Sequence, residues 1–77
     1  MPKLPVVKAS EVLKALQKAG FRIHHQTGSH ARLMHSARRE LKVTVPVHSG
    51  DVPKGTLKRI LKQADLSIDE FLSLIGK

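Results

Sequence analysis

The hydrophobic period of the chain changes at Gly20, from a helical repeat before it to strand alternation after it. A fold that satisfies both must set a helix against a sheet, because neither element buries its apolar side alone. Before the change, Val12, Leu16 and Ala19 fall at helical spacing with Leu13 and Ala15 at the margins, and Lys14, Gln17 and Lys18 take the other side. Ser10 is a suitable N-cap, Glu11 complements the positive end of the helix dipole, and Gly20 suits the C′ position. After it, Phe21–Thr27 begins as apolar-polar alternation, Gly28-Ser29 reads as a turn, and His30–His35 reads as a second strand. Ser36–Arg39 connects this to a third strand, Glu40–Val47, whose Leu41, Val43, Val45 and Val47 share one face opposite Lys42 and Thr44. Pro46 cannot donate to a ladder, which assigns that strand to a sheet edge or strand end.

The segment His48–Pro53 leads into a second helix from Lys54 to Ala64, with a core stripe of Leu57, Ile60, Leu61 and Ala64. At about 100° per residue, Lys54, Lys58 and Lys62 fall on one line with Arg59 beside it. This face is either an ordinary solvated surface or one that meets phosphate. Ser67 and Glu70 form a capping box for a short terminal helix, in which Leu66 staples against Phe71 while Leu72 and Ile75 close the core. The expected architecture is α+β: helix, three antiparallel strands, helix and a short C-terminal helix. Both main helices lie on one sheet face, and the other face is open.

Size and composition narrow the function. A chain of 77 residues forms a single domain, 1–77, with one layer of core and no room for a separate cofactor domain. Without cysteine there is no disulfide, zinc-thiolate site or thiol nucleophile. There is no transmembrane-length apolar run and no signal-peptide core, so the expected location is the cytoplasm and no membrane contact is expected. Fourteen Lys and Arg against six Asp and Glu give a net charge of +8, which points to a polyanionic partner, although basic residues also keep small proteins soluble. Phe21 and Phe71 are the only aromatics and both fall in apolar patterns. Base stacking on aromatic platforms is thereby disfavoured, and backbone and phosphate contacts are left.

Five histidines invite a metal reading, but their spacing opposes it. His24 and His25 are adjacent on a strand and should point to opposite faces, and His30 and His35 are an odd number apart and should diverge as well. No helical His-x-x-x-His and no carboxylate cluster completes a ligand set. General acid/base chemistry fits better. RNA carries its own nucleophile, the 2′-hydroxyl, and cleavage needs a base, a cation for the phosphorane and an acid for the leaving 5′-oxygen. In Gly28-Ser29-His30, glycine allows positive φ or close backbone approach, the serine hydroxyl can hold a phosphate oxygen, and the histidine can move a proton. Spacing alone is met more simply by a strand-end histidine that is only solvated or hydrogen-bonded. His48, beside Ser49-Gly50, has a similar claim and a similar structural alternative. His24, His25 and His35 read as strand residues without an assigned role.

With these motifs in hand, the chain resembles HicA, the small toxin of HicAB toxin–antitoxin systems. The resemblance rests on Gly28-Ser29-His30 after Ala19-Gly20-Phe21, on Val45-Pro46-Val47-His48-Ser49-Gly50, and on Pro53-Lys54-Gly55-Thr56-Leu57-Lys58-Arg59-Ile60-Leu61. It implies a double-stranded-RNA-binding-domain-like fold, α-β-β-β-α, and a ribosome-independent mRNA interferase whose catalytic histidine matches His30. It also implies a HicB antitoxin covering the active surface and no metal requirement, so no cofactor is expected. In place of the Pro-Asp-Gly turn of many relatives, this chain has Ser36-Ala37-Arg38-Arg39, putting two arginines at a hairpin tip as candidate RNA contacts or as a solvated loop. The leading expectation is an endoribonuclease using His30, with Gly28, Ser29, Lys54, Lys58, Arg59 and Lys62 contacting the RNA. The alternatives are a non-catalytic module that docks double-stranded RNA through the second helix, and an adaptor for an acidic protein.

Overall fold

The computed structural model describes residues 3–47 and 50–76. His48 and Ser49, and with them the possible role of His48, lie outside the described residues. The order is α1 (Ala9–Lys18), β1 (Phe21–Gln26), β2 (His30–His35), β3 (Lys42–Pro46), α2 (Lys54–Gln63) and α3 (Ile68–Ile75). The strands form one antiparallel sheet in the order β1-β2-β3. This is the expected α+β architecture, with β3 two residues shorter at its start and one at its end than the alternation suggested.

One face of the sheet is apolar because strand parity makes it so. Phe21, Ala31, Leu33, Val43 and Val45 are buried, and they meet Val12, Ala15 and Leu16 of α1, Leu57, Ile60 and Leu61 of α2, and Phe71 of α3 in a single core. Both main helices therefore cover the same face. On α3, Leu74 and Ile75 join Phe71 against this core, while Leu72 stays half-buried outside it, contrary to the inward role expected for Leu72.

The helix ends show where local chemistry overruled simple capping preference. α1 starts at Ala9 with Lys8 as its N-cap, so Ser10 is not the cap. The Glu11 carboxylate accepts from the Lys8 backbone N–H at 3.1 Å, and the Lys8 carbonyl accepts from Glu11 and Val12 N–H groups. Lys8 is also tied to Asp51 by a β-bridge, with the Val52 N–H donating to the Val7 carbonyl at 2.8 Å. This anchoring starts the helix before Ser10 can act. α3 follows expectation, with Ser67 Oγ accepting from the Glu70 N–H and the Glu70 carboxylate accepting from the Ser67 N–H. α2 ends with Asp65 at φ 56°. There the Leu66 N–H donates to the Leu61 carbonyl and the Asp65 N–H to that of Lys62, so an aspartate fills a left-handed position that glycine usually holds.

β3 is an edge strand with Pro46 as its last residue, so both placements open to Pro46 are met. The Thr44 N–H points to the free edge and donates to Gln63 Oε1 of α2 at 3.3 Å. Pro46 has the same outward parity, so its missing N–H removes no bond from the sheet.

Candidate active site

The Gly28-Ser29-His30 hairpin is built around Thr27. The Thr27 N–H donates to the His30 carbonyl at 2.9 Å, and the His30 N–H donates to Thr27 Oγ1 at 3.1 Å. A side-chain oxygen thus closes the turn where a backbone carbonyl usually would. Gly28 is not in the left-handed region, so the positive φ considered for it is not used. A Cβ at Gly28 would meet nothing within 4 Å, which leaves its backbone open to close approach. The Val47 N–H donates to the Ser29 carbonyl at 2.7 Å and fixes the hairpin to the end of β3.

His30 projects from the start of β2 onto the open face, and Ser29 Oγ lies 3.0 Å from its Nδ1. When Nδ1–H donates to this hydroxyl, Nε2 carries the free lone pair and can accept a proton. The ring lines a shallow depression of about 310 Å³ with His25, Thr27, Arg32 and Thr44. Arg32 stands two residues along β2 on the same face and pairs across the sheet with Thr44.

A β-bulge brings His25 into this group. Ile23 pairs with Leu33 and His25 pairs with Arg32, so His24 and His25 together oppose Arg32. In a regular strand the two histidines would face apart. Here His25 lines the depression of His30, and His24 lines the adjoining one of about 320 Å³ with Arg22, Met34 and Arg39. The expectation of opposite faces is therefore corrected: the extra residue turns His25 to the open side. Among the strand residues of this open face, Arg22, Arg32 and Lys42 are cationic and none is acidic. Among the described residues no group of three His, Asp or Glu side chains could hold a metal ion.

His35, at the other end of β2, is part of the scaffold. Its Nδ1 accepts from the Ala37 and Arg38 N–H groups at 3.1 and 2.9 Å, so Nε2 carries the hydrogen and donates to the Ala19 carbonyl at 3.1 Å. The ring packs edge-on to Phe21, centroids 5.1 Å apart. Gly20, at φ +102°, lies so close that a Cβ would be 2.8 Å from His35 Nε2. The Ser36 N–H and Oγ both donate to the Gly20 carbonyl, completing the junction.

The arginines of the β2–β3 connection differ. Arg38 donates to Asp65 at 3.1 Å and lies 3.5 Å from Glu40. The bond to Asp65, and then Glu40, holds its guanidinium more firmly in the charged form. Arg38 thus ties the connection to the end of α2 and is not a free phosphate ligand, whereas Arg39 borders the depression lined by His24 and His35.

The structure does not bring all the expected RNA contacts together. Gly28, Ser29 and His30 share the hairpin. Lys54, Lys58, Arg59 and Lys62 are exposed on α2, on the helical side of the sheet. Lys58, Arg59 and Lys62 border a separate groove with Leu66 and Ile68, beside the start of α3. Sequence reasoning missed Arg32, His25 and Thr27 as companions of His30. For Arg32 the signal was present, since it has the parity of His30 on β2.

No described helix is long and apolar enough to cross a membrane. A search among curated proteins found no match to this chain. The family model described as the HicA toxin of bacterial toxin–antitoxin matches residues 9–66, which takes in α1, the whole sheet and α2. The chain therefore belongs to the HicA toxin family of bacterial toxin–antitoxin systems.

Proposed function

We propose that this protein is an mRNA-cleaving endoribonuclease that works without a metal, with His30 as general base, and that a HicB-type antitoxin neutralises it in the cytoplasm. The observation that carries this reading is His30 on the open basic face, with Ser29 Oγ 3.0 Å from Nδ1 and Arg32 bordering the same depression. Nε2 would take the proton of a 2′-hydroxyl as that oxygen attacks the adjacent phosphorus. Arg32 would hold the non-bridging oxygens as charge builds on the phosphorane. Gly28 and Ser29 would let the RNA backbone approach the hairpin closely. The products are a 2′,3′-cyclic phosphate and a 5′-hydroxyl.

Purified protein should cleave RNA in EDTA, and His30→Ala should abolish cleavage while keeping the wild-type melting curve. Full activity in that variant would remove His30 from the mechanism. The exposed line Lys54, Lys58 and Lys62, with Arg59 beside it, favours a second reading, a non-catalytic module docking duplex RNA through α2. That reading predicts salt-dependent binding without turnover, weakened when Lys58 and Lys62 are neutralised. On the ribonuclease reading these cations add RNA affinity at a distance from the scissile bond.

A further inference from the structure

We propose that His25 is the general acid that protonates the leaving 5′-oxygen; this rests on the ribonuclease reading and adds its missing partner. Cleavage of a phosphodiester by its own 2′-hydroxyl needs two proton transfers, one at each end of the reacting phosphorus. The depression around His30 is bordered by His25, Thr27, Arg32 and Thr44. Arg32 does not give up its proton in a protein, and the hydroxyls of Thr27 and Thr44 are too weakly acidic to serve near neutral pH. The Thr27 hydroxyl is in addition engaged with the His30 backbone. Among these lining residues, His25 is the one side chain besides His30 of a type that serves as a general acid or base.

The placement suits the chemistry. His25 pairs with Arg32, and His30 lies two residues before Arg32 on the same strand. His25 and His30 are thus diagonal neighbours across the β1–β2 pair, a relation that sets Cα atoms about 7–8 Å apart. A phosphate held by Arg32 would lie between the two rings. The bulge is what creates this arrangement, because without it the parity of the strand would send His25 to the covered face. Bulges frequently re-aim a side chain beside an active site.

The step balances. The 2′-oxygen forms its bond to phosphorus as its proton passes to His30 Nε2. The bond from phosphorus to the 5′-oxygen breaks with its electron pair on oxygen, which takes the proton of the His25 imidazolium. Exchange with solvent then returns both rings to their starting states.

The test compares an RNA dinucleotide with its analogue carrying sulfur in place of the bridging 5′-oxygen, a leaving group that needs no acid. Wild type, His24→Ala, His25→Ala, His30→Ala and His48→Ala are assayed on both in EDTA. His25→Ala should lose about 10²–10⁴-fold on the normal substrate and return to within about tenfold of wild type on the sulfur analogue. His30→Ala should stay slow on both. A His25→Ala enzyme that keeps the wild-type rate, or one that is equally slow on both substrates, would overturn the assignment and leave the ribonuclease reading standing. Rescue confined to His24→Ala or His48→Ala would likewise overturn it. A wild-type protein that cleaves neither substrate would remove the ribonuclease reading and this proposal together. The side chain of His25 is exposed, so matching melting curves should exclude a folding defect.

Discussion

The two ends of β2 each carry a histidine, and they are used in opposite ways. His35 is half-buried, accepts two backbone N–H bonds, donates a third bond to Ala19 and packs on Phe21. His30 is exposed, has the Ser29 hydroxyl at Nδ1, and faces a depression lined by Arg32 and other polar groups. They are five positions apart on the strand, an odd step, so one faces the helices and the other the open side. A ring held on both nitrogens belongs to the scaffold. A ring held on one nitrogen, with the other turned toward open space, is equipped to move protons.

Substitutions can break this contrast. The largest effect is expected at the open end: His30→Ala should lower cleavage by about 10²–10⁴-fold or more with no change in melting temperature. Loss of stability with retained activity would invert the assignment of the two histidines. Next comes Gly20→Ala, which puts a side chain at φ +102° and its Cβ against His35. It should cost about 3 kcal/mol in denaturant unfolding. His35→Ala should follow at about 2 kcal/mol, from lost hydrogen bonds and ring contact, while the folded fraction cleaves RNA at the wild-type rate. Thr27→Val keeps the β-branched shape and removes the hydroxyl that holds the His30 N–H. It should slow cleavage several-fold through misplacement of His30, with kcat falling more than KM rises. The smallest effect is expected from Arg38→Ala, because its ion pairs are exposed and surface pairs contribute little. Its melting midpoint should move least of all.

Much of this contrast was legible in the sequence, and the remainder has identifiable causes. Helical spacing marked Val12 and Leu16 on α1 and Leu57, Ile60 and Leu61 on α2 as core, and alternation did the same for Val43 and Val45 on β3. The odd spacing of His30 and His35 correctly implied that they diverge. Alternation failed at His24 and His25, because a one-residue bulge resets parity and leaves no composition signal. The start of α1 moved from Ser10 to Lys8 because Glu11 and the bridge to Asp51 hold Lys8 from two sides. Gly28-Ser29 was visible as a turn, but the hydroxyl that closes it belongs to Thr27. Arg38 looked available at a hairpin tip, and only the long-range approach of Asp65 removes it from that role.

Cleavage of RNA on the open face of the sheet is proposed to run through His30. It is tested most directly by following a defined RNA in EDTA with wild type and His30→Ala at matched folded concentration, reading the ends of the products. The wild type should leave 2′,3′-cyclic phosphate and 5′-hydroxyl ends, and the variant should leave the RNA intact. Equal cleavage by both proteins would contradict it.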